Sequence, residues 1–354
     1  MGDRNLTLKW KGTSLELIDQ RKLPFREEYL ICRDAGSTAR AIRDMVVRGA
    51  PAIGVAAAYG VTLAANQYTG DSKDEFLSLV RKGVHLLSKS RPTAVNLFWA
   101  LSRMEKLLDK NIGESIDHIK QVLETEAKKI EQEDIETNKA IGRNGLIAIR
   151  GLAKNKLSVL THCNAGALAT AGYGTALGVI RSLHENHRIE RVLVDETRPY
   201  LQGARLTSWE LYQEGIPCTV ITDNMAAFFM SRKEVNVVVV GADRVAKNGD
   251  SANKIGTLGL SVLARHYRIP FFIAAPVSTI DFDMHSGDQI PIEQRDGREV
   301  REVMGTRIIP DYIPVENPSF DVTSSKDITG IITEKGTIYP PYVENIAKLE
   351  QELV

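Results

Sequence analysis

Cysteine is scarce in this chain: of 354 residues only Cys32, Cys163 and Cys218 are cysteine, an odd number, widely spaced and without a CxxC pair. Such usage excludes a disulfide framework and a zinc knuckle and points to a reducing, cytoplasmic compartment. An excess of one charge sign is also missing, because Lys plus Arg and Asp plus Glu number 45 each. No whole-protein field draws nucleic acid or an anionic membrane, so any anion site must be local. Met1 to Trp10 carry charge without an apolar leader segment, and the Ala-rich run Pro51 to Ala65 is too short and too weakly hydrophobic to span a bilayer. The expectation is a soluble, untargeted protein with no membrane or nucleic-acid partner. Internal repeats and low-complexity tracts are absent as well.

What is present is 43% apolar residues, enough to bury a core in a chain long enough for two domains. From about residue 150 onward, β-branched runs (Leu157 to Thr161, Val192 to Val194, Thr219 to Thr222, Val237 to Val240, Phe271 to Ala274) alternate with helix-length segments. That rhythm predicts an α/β fold with a parallel sheet. The crossover helices are expected at Ala165 to His184, Leu201 to Glu214, Met225 to Lys233 and Lys254 to Arg265, on both faces of the sheet. Earlier, an amphipathic opening (Leu6 to Leu17) and helical stretches around Ala39 to Val47, Ala52 to Asn66 and Phe76 to Ser88 read as a separate, mainly helical domain. Asn111 to Leu152, rich in Glu, Lys and Ile, reads as the helices joining the halves.

In an open parallel sheet ligands bind beyond the carboxyl ends of the strands. The residues there are Cys163 and Asn164, Asp195 and Glu196, Asp223 and Asn224, Asp243 and Arg244, and Ser278. Asp243 follows its strand through only Gly241 and Ala242; desolvation by that apolar strand would raise its carboxyl pKa toward general-acid range. A helix cap or a salt bridge to Arg244 is the alternative. Cys163, ahead of Asn164, Ala165 and Gly166, would have a helix start to favour its thiolate and act as a base, or it is a buried packing cysteine. Cys32 and Cys218 are assigned to packing. Arg48, Gly49 and Ala50 before Pro51, and Arg91 before Pro92 and Thr93, each pair a guanidinium with a proline-led helix start, a design suited to phosphate. Asn253 and Lys254 are expected to open a helix after the polar loop Lys247 to Ala252, and Gln202, Gly203 and Ala204 to open another. These groups suit sugar hydroxyls or phosphate, or serve as ordinary caps.

Other signals are set aside. Gly172, Gly174 and Gly178 have GxGxxxG spacing inside an expected helix, so dinucleotide binding is not expected. His184 and His187 lack further ligands at metal spacing, and neither a metal nor a cofactor is expected. His162 is excluded as a partner of Cys163 because strand neighbours face opposite ways. Asp281, Asp283 and Asp288 around His285 read as an acidic solvated loop or a lid over the crevice, rather than a calcium site.

Eight ordered blocks carry a resemblance: Arg48-Gly-Ala-Pro-Ala-Ile-Gly54, Arg91-Pro-Thr-Ala-Val-Asn96, Cys163-Asn-Ala-Gly166, Glu196-Thr-Arg-Pro199, Leu201-Gln-Gly203, Gly241-Ala-Asp-Arg244, Asn248-Gly249 and Asn253-Lys-Ile-Gly-Thr257. Along nearly its whole length the chain resembles the methylthioribose-1-phosphate isomerases of methionine salvage. That family is similar to the regulatory α, β and δ subunits of the guanine-nucleotide exchange factor of translation initiation, and to isomerases of ribose 1,5-bisphosphate. The resemblance implies a Rossmann-like C-terminal domain (residues 126–354), a mainly helical N-terminal domain (residues 1–125) that contributes phosphate-binding residues, and a homodimer. It implies Cys163 and Asp243 as the catalytic pair and Arg48, Gly49, Ala50, Arg91, Gln202, Asn253 and Lys254 as substrate contacts.

Overall fold

A helix made almost wholly of small and apolar residues must be buried on all sides. In the computed structural model of the chain, which describes residues 7–91, 94–152 and 156–353, the segment Ala50–Asn66 is such a helix. It lies at the centre of the first of two units, formed by the chain up to Thr137 together with Gly166–Gly174. That unit opens with a three-stranded antiparallel sheet, β1 (Leu8–Trp10), β2 (Leu15–Ile18) and β3 (Tyr29–Cys32). The expected amphipathic opening is thus a strand pair rather than a helix, with Leu8 facing Leu17.

Helices follow: α1 (Ala35–Arg43), the central α2 (Ala50–Asn66), α3 (Lys73–Ser88), α4 (Val95–Lys110) and α5 (Ile116–Ile149). Asp34 caps α1 by accepting from Ser37, and the helix stops short of the expected Val47 because Met45 turns left-handed at φ 56°. Small residues let neighbours approach α2: an added Cβ on Gly60 would sit 3.0 Å from Leu87, and one on Gly83 2.7 Å from Ala64. Trp10 stacks on Tyr59 at 4.8 Å and donates from Nε1 to Glu124 at 2.9 Å. The expected division between residues 125 and 126 and the observed one after Thr137 both fall within α5.

The second unit, Asn138–Ala165 with Thr175 onward, holds a seven-stranded sheet. Its elements in chain order are β4 (Leu157–Thr161), α6 (Ala176–Glu185), β5 (Ile189–Asp195), α7 (Ser208–Gln213), β6 (Cys218–Ile221), α8 (Ala226–Ser231) and β7 (Val237–Val240). The hairpin β8 (Arg244–Ala246) and β9 (Ser251–Lys254) is next, then α9 (Thr257–Tyr267), β10 (Phe271–Ala274) and β11 (Ile280–Asp281). The chain closes with α10 (Arg298–Arg301), β12 (Glu302–Val303), β13 (Thr306–Arg307), β14 (Phe320–Thr323), β15 (Gly330–Thr333), β16 (Gly336–Ile338) and α11 (Tyr342–Glu352).

The main sheet runs β16-β15-β10-β7-β4-β5-β6, parallel except for β16, and β11-β8-β9-β14 form a separate small sheet. Parallel strands covered on both faces read as continuous apolar runs. All four valines of β7 and all of β4 are buried accordingly.

Three expected helices change character. Residues 165–175 form a loop with a short 3-10 turn at Ala167–Ala169, because Tyr173 and Gly174 are left-handed (φ 73° and 80°) and helix α6 starts only at Ala176. Gly172 and Gly174 therefore lie before a helix, not within it. Asn253 and Lys254 end strand β9 instead of opening α9, which begins at Thr257. The helix after Gln202 starts with a π-helical turn over Gly203–Thr207.

Candidate active site

The chain leaves β4 for β5 and β6 on one side, then returns to place β7 on the other side of β4. The gap between β4 and β7 is therefore the topological switch point, where open α/β sheets bind ligands. Cys163 follows β4 and Asp243 follows β7, so the two expected catalytic residues come off adjacent strands at that point. The two loops touch, since a Cβ added to Gly241 would lie 2.7 Å from that of Ala165.

Cys163 is half-buried and its backbone is left-handed at φ 62°, a conformation costing a non-glycine residue roughly 1–2 kcal/mol. Two threonines hold it there. Its amide donates to Thr197 Oγ1 at 2.8 Å, and its carbonyl accepts from Thr207 Oγ1 at 2.6 Å. Thr197 and Leu201 are left-handed too (φ 63° and 61°), and a β-branched residue there is a true outlier. Asp223 fixes that turn: its two carboxylate oxygens accept from the Thr197 and Arg198 amides, both at 2.8 Å.

Behind Cys163, Asn164 donates to Glu210 at 2.8 Å, and Glu210 pairs with buried Arg181 at 2.8 Å, which also holds Glu214. The helix start expected to favour a Cys163 thiolate is absent, because the chain from residue 164 to 175 is the loop described above. The conformation of Cys163 is fixed by side-chain hydroxyls instead.

Asp243 is exposed, which corrects the expectation that its strand desolvates it: it stands beyond Gly241 and Ala242, and its amide donates to Ala252 at 2.9 Å at the start of the β8–β9 hairpin. Arg244 forms an ion pair with Asp281 at 3.1 Å. The acidic loop is tied to the same hairpin, with Lys247 N donating to Met284 O at 2.8 Å and Gly287 N to Asp250 at 3.1 Å.

Gln202 is buried, and its Oε1 has no hydrogen-bond partner among the described residues. Asn253, also buried, donates to Thr257 Oγ1 at 3.0 Å, and the Lys254 ammonium lies 5.0 Å from the Phe320 ring centre. Next to Gln202, Gly203 lets the chain pass close to the end of β5: a Cβ there would sit 1.7 Å from the Asp195 carbonyl oxygen.

His162, excluded in the sequence reading, is wholly buried. Its Nδ1 lies 2.9 Å from Asp195 Oδ2 and its Nε2 2.9 Å from the Ile255 carbonyl oxygen. Burial alone would lower its pKa, but the hydrogen bond and charge of Asp195 more than offset this and hold it above the ordinary histidine value. Both ring nitrogens being engaged, the imidazole is not a base for Cys163. Among the described residues His162, Asp195 and Asp223 also offer ligand atoms within 4.8 Å of one another. The contacts just given occupy both nitrogens of His162 and both oxygens of Asp223, so the cluster reads as a hydrogen-bonded group. Burial pushes the thiol of Cys32 up to about 11 and that of Cys218 upward as well, which suits packing roles.

In the first unit, Arg48 and Gly49 precede α2, Pro51 stands in its first turn, and no side chain caps it. Gly49 needs its glycine, since φ is 92° and a Cβ would meet Ala169 O at 2.4 Å. Arg91 precedes α4, whose start has no side-chain cap among the described residues; Pro92 and Thr93 lie outside them. The two helix starts are neighbours, because a Cβ on Gly54 would lie 2.8 Å from Asn96 O.

Fold and site define a two-unit α/β protein with a cysteine and a carboxylate at the switch point of a Rossmann-like sheet. Residues 46–340 match the initiation factor 2 subunit family. The methylthioribose-1-phosphate isomerase of Thermotoga neapolitana is 55% identical over 343 residues, 97% of each chain. The solved structure of 5-methylthioribose 1-phosphate isomerase from Pyrococcus horikoshii OT3 is 44% identical, with 99% of each chain covered and a TM-score of 0.94. A structure from A. fulgidus named translation initiation factor eIF-2B, subunit delta, is 42% identical, with 98% of this chain and 99% of that one covered and a TM-score of 0.88. The chain belongs to the initiation factor 2 subunit family, among its methylthioribose-1-phosphate isomerases.

Proposed function

We propose that this protein is the aldose–ketose isomerase that converts 5-methylthio-α-D-ribose 1-phosphate to 5-methylthio-D-ribulose 1-phosphate in methionine salvage. The observation that carries the reading is the placement of Cys163 and Asp243 on adjacent strands at the switch point, in a chain that shares 55% identity with an isomerase over 97% of its length. Phosphate on C1 prevents ordinary opening to a free aldehyde, so the ring C1–O4 bond must be broken with acid assistance. The Asp243 carboxyl, in the acid role, donates a proton to O4 as that bond breaks. Cys163 then takes the C2 proton, giving an enediol-type phosphate that it reprotonates at C1, or it supports a hydride shift from C2 to C1; in either route the C2 hydroxyl returns a proton to the Asp243 carboxylate as the ketone forms.

Arg48, the Gly49 and Ala50 amides, Arg91 and Lys254 hold the phosphate, with Gln202 and Asn253 orienting hydroxyls. A cytoplasmic setting fits three cysteines that form no disulfide with one another. A homodimer is supported by the edge of the second unit: strand β6 has an open side, and Val220, Met225, Phe228 and Tyr212 beside it are exposed, Tyr212 by 79%. No described helix is long and apolar enough to cross a membrane.

The second reading, a non-catalytic translation-factor subunit, is favoured by the name of the A. fulgidus structure. Turnover of 5-methylthioribose 1-phosphate beside ribose 1,5-bisphosphate separates the possibilities. Preference for the methylthio sugar supports the proposal, preference for the bisphosphate reassigns the substrate, and turnover of neither leaves the scaffold.

A further inference from the structure

One buried titratable pair takes part in none of the steps above. The carbonyl oxygen of Ile255 can only accept, so the Nε2 of His162, 2.9 Å away, carries hydrogen. The opposite contact, Nδ1 to Asp195 Oδ2 at 2.9 Å, holds one further proton, and its position sets the charge of the ring. Three carboxylates face that ring from three elements: Asp195 at the end of β5, Asp223 after β6 and Asp321 on β14. Asp223 and Asp321 each accept two backbone amides, Thr197 and Arg198 for the first, Gly256 and Leu258 for the second. For Asp321 the amides only partly offset its burial, which pushes the carboxyl up, and burial likewise pushes up Asp195 against the pull of His162.

Among the described residues Asp195 Oδ2 meets His162, while its buried Oδ1 has no hydrogen-bond partner. An imidazolium supplies two N–H donors to the two acceptors present and one positive charge among three carboxylates. The ring also spans the site: it follows β4 immediately before Cys163, and it packs on Gly256 so closely that a Cβ there would lie 2.9 Å from Cε1.

We propose that His162 is held as an imidazolium by Asp195 and is a positioning residue of the isomerase, tying the strand end that carries Cys163 to the turn behind Asn253 and Lys254. The positioning role rests on the isomerase reading; the charge state of the ring does not. The test combines nitrogen-15 NMR of the full chain labelled at histidine with kinetics of Asp195→Asn and His162→Gln. In Asp195→Asn the new amide donates to Nδ1 of a neutral ring, so shape and both hydrogen bonds survive while the charge goes.

Expected in the wild type at about pH 7.5 is a ring with both nitrogens protonated. Expected in Asp195→Asn is a ring protonated at Nε2 alone, with kcat about tenfold lower and KM little changed. A bare Nδ1 in the wild type, or an Asp195→Asn enzyme whose kcat is unchanged or whose loss lies wholly in KM, overturns the proposal. If the variants do not fold, the wild-type resonances decide alone. If the wild type turns over no sugar phosphate, the positioning role falls with the isomerase reading, and the resonances still report the ring.

Discussion

Replacing Thr197 with valine tests the hydroxyl clamp on Cys163 while preserving side-chain shape. The Thr197 hydroxyl accepts from the Cys163 amide at 2.8 Å and donates to the Asp195 carbonyl at 3.0 Å. Valine leaves that amide without its acceptor, a loss of about 1–3 kcal/mol for a buried group. The left-handed conformation of Cys163 itself stores roughly 1–2 kcal/mol, which is released if the residue rotates to an ordinary region. The surviving bond from Thr207 to the Cys163 carbonyl, 2.6 Å long, resists that rotation. The net bias against the native arrangement should be about 1–2 kcal/mol, so kcat/KM should fall roughly 5- to 30-fold. Thr197→Ser, which keeps the hydroxyl, should stay near wild type. Steady-state kinetics, melting temperature and the alkylation rate of Cys163 would be read together. A Thr197→Val enzyme within about twofold of wild type would show that the clamp does not set the geometry of Cys163.

Gly203→Ala places a methyl 1.7 Å from the Asp195 carbonyl oxygen and should cost about 3 kcal/mol or more in urea unfolding; a change below about 0.5 kcal/mol would contradict the packing. Arg48→Ala and Arg91→Ala should each weaken substrate binding by about 2–5 kcal/mol, seen by calorimetry, and unaltered affinity would remove that arginine from the phosphate site. Because the folded-state pKa of His162 lies above its unfolded value, the stabilisation from its charge is complete below about pH 6.5 and is lost as pH rises through the folded value. The melting-temperature gap between wild type and His162→Gln should therefore be widest near about pH 6 and narrow toward about pH 9, whereas a constant gap would contradict a charged ring.

The strands of the main sheet were legible because parallel strands buried on both faces leave uninterrupted β-branched runs: β4, β7 and β10 begin and end at the predicted residues. The stretch after Ala165 was not, since its alanines and leucines imitate a helix while Tyr173 and Gly174 adopt left-handed angles that residue type alone does not announce. Gly203 was visible as a helix opener, but neither its π-helical turn nor its close approach to the Asp195 carbonyl oxygen was. His162 was rightly set apart from Cys163, but by the Asp195 and Ile255 contacts that engage both its nitrogens and not by strand alternation, which ends at Cys163 with φ 62°. Its partner was readable in outline, because Asp195 and His162 both end apolar runs that the topology sets side by side. Asp243 was located but not its exposure, which follows from the way the chain leaves β7 for the β8–β9 hairpin.

The most direct test of a cysteine–carboxylate centre at the switch point is single-turnover isomerisation of 5-methylthioribose 1-phosphate by wild type, Cys163→Ser and Asp243→Asn, with substrate binding measured alongside. The account predicts that both variants bind the sugar phosphate and lose turnover by a factor on the order of a thousand or more. Turnover near the wild-type rate in either variant would contradict it.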